Sequence, residues 1–152
     1  MLSSRARYAT RALLDLTAHI DEGPIVIQDI ADRQNIPVKF LEQILLTLKR
    51  EGFVRSRKGP GGGYHLAMPP REITLGAVVR SIDGPLAPIS CVSVSGYMEC
   101  GCPEPETCGL RTAWKEARDA LASVLDNISF FDILERQTNL QSEHNKIFDF
   151  TI

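Results

Sequence analysis

All four cysteines of this 152-residue chain lie in one short stretch, with the spacing Cys91-x8-Cys100-x-Cys102-x5-Cys108. Thiolates are ligands for zinc and for iron–sulfur clusters, and four of them on one loop can converge on a single site. The spacing therefore predicts a metal or redox site built from Cys91, Cys100, Cys102 and Cys108. An iron–sulfur cluster, a structural zinc ion and a thiol–disulfide switch without metal are the three alternatives for its chemistry.

Basic side chains form the second cluster that could do chemistry. Five of them lie within ten positions and are opposed only by Glu51: Lys49, Arg50, Arg55, Arg57 and Lys58. The formal net charge of −2 hides an uneven distribution. Residues 1–71 hold 11 Lys/Arg and 7 Asp/Glu, a net charge of +4, whereas residues 72–152 hold 6 and 12, a net charge of −6. A basic half joined to an acidic half predicts a polyanion as the partner of the first half.

The elements that position these basic residues follow from apolar periodicity and breakers. Three helices are predicted first: one from Ser3 or Ser4 to about Ile20, a short one carrying Ile27 and Ile30, and one from Val38 to Glu51. Two β-prone runs then flank a turn of glycine and proline at residues 59–63, which predicts a hairpin. A fourth helix is predicted for residues 74–83.

This order of elements is that of a winged helix-turn-helix domain. Its third helix has the dimensions to enter a major groove, and its hairpin can lie along phosphates or enter the minor groove. The exposed face of the third helix carries Lys39, Glu42, Gln43 and Thr47. Of these, Lys39 and Gln43 can bond guanine and adenine edges respectively. A winged-helix protein-interaction module with a solvated basic face is the alternative.

Several motifs resemble the Rrf-type winged-helix transcription regulators over about residues 1–136. They are Tyr8-Ala9, Leu41-Glu42-Gln43, the run Gly59-Pro60-Gly61-Gly62-Gly63-Tyr64, and a cysteine loop before a long helix. The resemblance implies a homodimeric regulator of transcription, not an enzyme, that binds a partly palindromic double-stranded DNA operator. Carried over by position, it implies DNA contacts at the start of the third helix and in the wing. The full predicted DNA-binding set is Arg5, Arg7, Tyr8, Pro37, Lys39, Glu42, Gln43, Thr47, Arg57 and Lys58.

The resemblance extends to the cysteine loop. Cys91, Cys102 and Cys108 are similar in position to the three cysteine ligands of the members that bind an iron–sulfur cluster. Those members use a histidine where this chain has Arg111, which cannot coordinate a metal. Cys100 is therefore the candidate fourth ligand of a cluster, while zinc or no metal remains open.

A long helix is predicted from Arg111 to Ile128. Its apolar residues recur at steps of three and four and predict a narrow coiled-coil-like seam, which the resemblance implies is the dimerisation surface. The seam residues are Trp114, Ala117, Leu121, Val124 and Ile128.

The whole chain is thus predicted to be mainly α-helical with a small β-hairpin wing. We expect a DNA-binding domain at 1–84, a sensor loop at 85–110, the dimerisation helix with a short last helix at 111–136, and a mobile tail at 137–152.

Composition excludes other classes of protein. The hydrophobic content of 43% and the charged content of 24% are those of a globular protein rather than a disordered or collagen-like chain. No apolar run approaches the roughly 20 residues that a membrane helix needs, and the N-terminus does not have the pattern of a secretory signal. We therefore expect a cytoplasmic protein without a membrane partner. An enzyme would need Cys100 and Cys102 to act as a thiol–disulfide pair, and no matched acid or base group supports that.

Overall fold

The computed structural model describes residues 2–149 and confirms the predicted fold class, because it is mainly helical with one two-stranded antiparallel sheet. Four short 3-10 turns lie between the longer elements, at Ile20–Glu22, Pro70–Glu72, Ser90–Val92 and Pro105–Thr107. The helices are α1 (Ser4–Ala18), α2 (Ile27–Gln34), α3 (Val38–Arg50), α4 (Leu75–Asp83), α5 (Gly109–Asp126) and α6 (Phe130–Asp149), and the strands are β1 (Val54–Arg57) and β2 (Gly63–Leu66).

Local chemistry explains where the first helices begin and end. The Ser3 hydroxyl accepts a hydrogen bond from the amide of Ala6 at 3.1 Å and caps α1. Asn35 takes the left-handed conformation, with φ of 49°, and ends α2. This residue type tolerates that conformation better than most. Pro37 then precedes α3, so the turn of the helix-turn-helix is only three residues long.

The core lies between α1, α2, α3 and α4, the wing and the start of α6. Its fully buried residues include Leu13, Leu16, Leu41, Leu45 and Phe130. One carboxylate is buried with them. Asp15 accepts hydrogen bonds from Arg33 at 3.0 and 2.8 Å and from Gln34 at 3.0 Å, which joins α1 to α2. These charge-assisted bonds compensate the burial of Asp15.

The wing is attached to the body of the domain by backbone pairing. In the hairpin, Val54 pairs with Leu66 and Arg57 pairs with Gly63. Tyr64 also exchanges two hydrogen bonds of 2.8 Å with Ile25, in the segment between α1 and α2. A side chain at Gly63 would collide with the Ile25 carbonyl, so this close approach requires glycine. The base of the wing is therefore fixed, and only its tip projects.

The long helix α5 is held at its C-terminal end. Arg80 of α4 donates to both carboxylate oxygens of Asp126, at 2.6 and 2.8 Å. A Cβ at Gly76 would overlap that carboxylate, so glycine allows α4 and α5 to approach closely. None of the 18 residues of α5 is buried in the single chain.

Two sequence predictions about the C-terminal part are wrong. The long helix ends at Asp126 rather than Ile128, because Asn127 caps it and the Ile128 carbonyl accepts the amide of Leu75 at 2.9 Å. Ile128 is therefore half-buried in a connector and does not extend the helical seam.

The predicted short last helix is also wrong, because α6 has 20 residues and continues through the segment expected to be a mobile tail. The chain has no glycine or proline after Gly109, so no strong breaker ends α6 near Arg136. Residues 150–152 of that tail lie outside the described residues. No helix within residues 2–149 is both long and apolar enough to cross a bilayer.

Candidate DNA-binding surface and cysteine site

Helix α3 places one apolar stripe in the core and most of its polar residues in solvent. Its apolar stripe, which includes Leu41, Ile44 and Leu48, is fully buried. The predicted base-reading residues lie on the other side and are exposed: Pro37, Lys39, Glu42 and Gln43. The structure therefore places the donors and acceptors of this helix where a groove of DNA can reach them.

The start of α1 lies beside this exposed face. Arg5 donates a hydrogen bond of 3.5 Å to the Thr47 hydroxyl, and that hydroxyl donates to the Gln43 carbonyl at 3.1 Å. Three of the predicted DNA-contacting residues are thus brought together. Arg7 is exposed on the same helix as Arg5.

Tyr8 has a packing role that the sequence did not reveal. Its ring meets Phe40 of α3 edge to face, with the centroids 5.6 Å apart, and the Arg11 guanidinium lies 5.8 Å from the Tyr8 centroid. Aromatic pairs of this geometry stabilise the contact between two elements. Tyr8 therefore positions α1 against α3.

The wing presents its basic residues to solvent. Arg57 and Lys58 are exposed, and Lys58 lies next to the glycine-rich tip. Lys49 of α3 donates a hydrogen bond of 2.6 Å to the Ser56 hydroxyl of β1. This contact joins the end of α3 to the wing. The sequence placed Lys49 in the basic cluster but gave no signal of this contact.

The cysteine loop brings three of its four thiols into contact. Cys91 is buried on a 3-10 turn, Cys100 is half-buried and Cys102 is exposed. Cys91 and Cys102 both hydrogen-bond to the sulfur of Cys100. Cys108 is the N-cap residue of α5. Three cysteines therefore lie along the loop and the fourth lies at the start of α5.

These contacts shift the pKa values of the thiols in opposite directions. Hydrogen bonds from Cys102 and Cys91 lower the pKa of Cys100. Burial raises the pKa of Cys91, and its hydrogen bond to Cys100 raises it further, while the positive charge of Arg111 opposes both effects. The hydrogen bond to Cys100 raises the pKa of Cys102. Cys100 is thus the sulfur at which negative charge is best accommodated in this cluster.

The cysteines have the donor chemistry that zinc or an iron–sulfur cluster needs. Two thiols that interact with Cys100 and a fourth cysteine at the adjacent helix end fit a thiolate site in donor type and number. Even so, no group of three or more Cys, His, Asp or Glu side chains within residues 2–149 is already arranged to hold a metal ion. Binding would therefore require the sulfurs to move.

Arg118 connects the cysteine loop to α5 and was not identified from the sequence. Its guanidinium donates to the carbonyl of Val92, the residue after Cys91, and also pairs with Asp119. A single arginine within an amphipathic helix gives no sequence signal of such a contact. Arg111 donates to the Pro105 carbonyl at 3.4 Å.

The predicted seam of α5 is open to solvent in the single chain. Trp114, Leu121 and Val124 are 43, 44 and 56% exposed, and Ala117 is exposed on the same face. Exposed apolar residues in a continuous stripe mark interaction surfaces. Ile128, outside the helix, is the one predicted seam residue that does not share this face.

Comparisons with known proteins agree with this arrangement. Residues 2–136 match the model of the Rrf2 family, described as an iron-dependent transcriptional regulator. The HTH-type transcriptional regulator IscR of Aliivibrio salmonicida is 36% identical over 133 residues, which cover 88% of this chain and 76% of that protein. IscR of Serratia proteamaculans is 35% identical over 136 residues, or 90% of this chain and 80% of its own length.

Solved structures give the same result. CymR of B. subtilis, described as its global cysteine regulator, superposes with a TM-score of 0.76 at 30% identity, over 90% of this chain and 97% of its own. IscR of T. potens gives a TM-score of 0.74 at 28% identity, over 93% of this chain and 90% of its own. The chain therefore belongs to the Rrf2 family and is a DNA-binding transcription regulator of the winged helix-turn-helix class.

Proposed function

We propose that this chain is a homodimeric regulator whose affinity for its operator depends on the state of its four cysteines. The observation that carries the proposal is the place of the thiols. They gather at the N-terminus of α5, the helix whose apolar stripe has no partner within the single chain. A change at the cysteines therefore acts directly on the element that we assign to dimerisation.

The proposed dimer forms through α5. Trp114, Ala117, Leu121 and Val124 pack against the same residues of a second copy, in the manner of a two-helix seam. Two copies so joined present two α3 helices to one face of a duplex. Adjacent major grooves on that face are about 34–36 Å apart, which sets the separation that the dimer must provide. A partly palindromic operator matches this two-fold symmetry.

Each copy reads one half-site with the residues described above. Lys39, Glu42 and Gln43 contact base edges from α3, and Pro37 and Thr47 flank them at the groove. Arg57 and Lys58 of the wing, together with Arg5, Arg7 and Tyr8 at the start of α1, contact the phosphate backbone or hold those contacts in place. The contacts from α3 would therefore supply the sequence-specific component of binding. The contacts from the wing and the start of α1 would supply the electrostatic component.

Cys91, Cys100, Cys102 and Cys108 would hold an iron–sulfur cluster, with Cys100 in place of the histidine that related chains use. When bound, such a cluster supplies chemistry that responds to iron supply, oxidants and nitric oxide. The chain's own residues transmit the change. Cys108 begins α5, and Arg118 holds the Val92 carbonyl beside Cys91, so both ends of the loop are tied to the same helix.

The experiment compares loaded and apo protein on one operator. Protein purified anaerobically and reconstituted with iron and sulfide should be brown, and its operator affinity should differ from that of apo protein by about tenfold, a typical coupling between two sites. Cys102→Ala should lose this difference, whereas Ser95→Ala, on the same exposed loop, should keep it. Equal affinities for loaded and apo wild-type protein, or colourless protein with stoichiometric zinc, would contradict the proposal.

A dithiol switch is the second candidate, favoured by the contact between Cys100 and Cys102. In this reaction two thiols lose two protons and two electrons and form one disulfide, while hydrogen peroxide is reduced to water. Mass spectrometry separates the candidates. A disulfide that forms in metal-free protein and changes operator affinity supports the switch, whereas an effect that requires iron supports the cluster.

A further inference from the structure

A cavity of about 340 Å³ lies between the C-terminal end of α1 and the base of the wing, far in sequence from the cysteine loop. We call it the α1–wing cavity. Its volume is at the lower end of the range for small-molecule sites. Neither DNA binding nor the cysteine loop accounts for it. Its walls are largely apolar and include Leu16, Ile20, Ile25, Tyr64 and Leu66.

Apart from the hydroxyl-bearing Tyr64, the polar side chains that line the α1–wing cavity all carry nitrogen. Arg57, His19 and His65 line it, and none of its lining residues is acidic. The one neighbouring carboxylate that contacts this group is Asp15, whose oxygen lies 3.8 Å from His19, and Asp15 is already committed to Arg33. Arg57 forms no ion pair with any carboxylate in the described part of the chain. The cavity therefore combines apolar walls with uncompensated positive charge.

His65 supplies an independent observation. Its Nδ1 atom is buried and has no hydrogen-bond partner, and it is the only side-chain nitrogen or oxygen within residues 2–149 in this position. Buried polar atoms in proteins are almost always paired with protein, water or a ligand. The chain itself provides no partner for this atom, so His65 is the cavity-lining side chain whose hydrogen-bonding capacity the protein leaves unmet.

We propose that the α1–wing cavity binds a small organic carboxylate. The apolar body of the ligand lies against Leu16, Ile20 and Leu66, and its carboxylate pairs with Arg57 and accepts a hydrogen bond from His65. Charged hydrogen bonds of this kind are the strong ones in proteins. This site is a second input to the regulator, separate from the cysteines and independent of the cluster proposal.

Occupation of the cavity has a consequence for DNA binding. Arg57 is also one of the wing residues that we assign to phosphate contact. A carboxylate on the guanidinium competes with phosphate for the same charge, so the ligand and the operator should weaken each other's binding. This mutual weakening of ligand and operator binding distinguishes a ligand of the cavity from a molecule that binds without effect on DNA binding.

The test is calorimetric titration of the full chain with benzoate, benzyl alcohol and inorganic phosphate as probes. Benzoate should bind with one site per protomer, and benzyl alcohol and phosphate should each bind at least tenfold more weakly, because one lacks the charge and the other lacks the apolar body. His65→Leu should weaken benzoate binding by about tenfold or more, the loss expected for a charged hydrogen bond.

Two further variants make the test decisive. Ile20→Trp fills the cavity from a residue that is already 47% exposed, and it should also abolish benzoate binding. Arg55→Gln removes a positive charge from the strand position opposite His65 without touching the cavity, and it should bind benzoate as wild type does. The proposal is overturned if benzoate does not bind, if phosphate binds equally well, if Ile20→Trp binds normally, or if Arg55→Gln loses as much affinity as His65→Leu.

Discussion

The winged-helix lobe, formed by α1–α4 and the wing, and the helix α5 satisfy their apolar residues in opposite ways. In the lobe, the stripes of α1 and α3 are buried against one another, and the one buried carboxylate, Asp15, is fully paired. In α5, an amphipathic stripe of similar regularity is left open to solvent. The main apolar stripes of the lobe are buried within the single chain, whereas that of α5 is not.

This difference separates two kinds of functional surface. The lobe uses its buried stripe to hold a polar face in a fixed shape, which suits the recognition of base edges. The apolar stripe of α5 is itself exposed, which suits the pairing with a second copy that we propose. The cysteine loop joins the two and contacts α5 through Arg118 and Cys108. Under the proposed function, a signal at the loop would therefore change the relation between two lobes without disturbing either core.

A charge placed in the α5 stripe is the most direct test of the difference between α5 and the lobe. Leu121→Glu should convert the dimer to a monomer, because two carboxylates would face each other across the seam. Operator affinity should fall by about 100-fold or more, since each half-site would then be bound without the other. Sedimentation gives the oligomeric state, and gel retardation gives the affinity.

Ser123→Glu is the matched control, because Ser123 is exposed on the opposite side of the same helix. This variant should remain dimeric and bind the operator normally. The circular dichroism of both variants should retain the helical signal of the lobe. A Leu121→Glu protein that still sediments as a dimer would show that α5 is not the pairing surface.

The sequence was most informative where one stripe of apolar residues decides the structure. The helices of the lobe, the cap at Ser3 and the wing follow from local periodicity and from the glycine run, and the structure has them as expected. The helices and the wing of the lobe were therefore predictable, whereas the turn at Ile20–Glu22 and the pairing of Ile25 with Tyr64 were not.

The C-terminal part was less predictable because its outcome depends on contacts between distant residues. Ile128 fits the periodicity of α5. However, its carbonyl accepts a hydrogen bond from the amide of Leu75, which is some fifty positions away. The length of α6 was missed because a polar composition after Arg136 is typical of tails, although the absence of glycine and proline there permitted a helix.

The cysteine site was also only partly predictable, because some of its contacts join residues that are distant in sequence. Cysteine spacing predicted a cluster of thiols, and the structure brings three of them together around Cys100. Spacing could not predict Arg118, because a hydrogen bond to the Val92 carbonyl depends on how the loop folds back onto the helix. The unpaired Nδ1 of His65 is likewise a property of packing rather than of residue order.

A change on the polar face of α3 should test the lobe alone. Gln43→Ala should reduce binding to the preferred operator by about 1–3 kcal/mol and relax the preference at one base pair in each half-site. The dimer and the response to the cysteines should be unaffected. Affinities for operators mutated one base pair at a time measure the effect. A uniform loss over all sequences would instead assign Gln43 to a non-specific contact.

Helix α6 defines where the lobe ends, because Phe130 at its start is buried in the core of the lobe. Its N-cap is a reciprocal pair: Ser129 donates from its amide and hydroxyl to Asp132 at 2.8 Å, and the Asp132 amide donates to the Ser129 hydroxyl at 3.2 Å. Ser129→Ala should lower the free energy of unfolding by about 1 kcal/mol at neutral pH. Chemical denaturation measures this loss of stability. Ser142→Ala, on the exposed part of α6, is the matched control for the Ser→Ala change.

The cost of Ser129→Ala should also depend on pH. The backbone and hydroxyl hydrogen bonds from Ser129 lower the pKa of Asp132. A carboxylate with a lowered pKa in the folded state contributes stability above its unfolded pKa of about 4, and that stability is lost as the pH falls through the folded value. The difference between wild type and Ser129→Ala should therefore narrow in acid. A difference that stays constant from neutral to acidic pH would mean that the carboxylate is not part of the cap.

A substitution at the tip of the wing should have a small effect and should separate electrostatic from sequence-specific binding. Lys58→Ala should weaken binding to every DNA sequence equally and reduce the slope of log K against log salt by about one unit, since each neutralised phosphate contributes roughly 0.9. Arg50→Ala removes a charge beside the wing, at the end of α3, and serves as the control. An unchanged slope for Lys58→Ala would remove Lys58 from the interface and leave Arg57 as the cation that contacts phosphate there. Because Arg57 also lines the α1–wing cavity, the salt dependence would then itself change when that cavity is occupied.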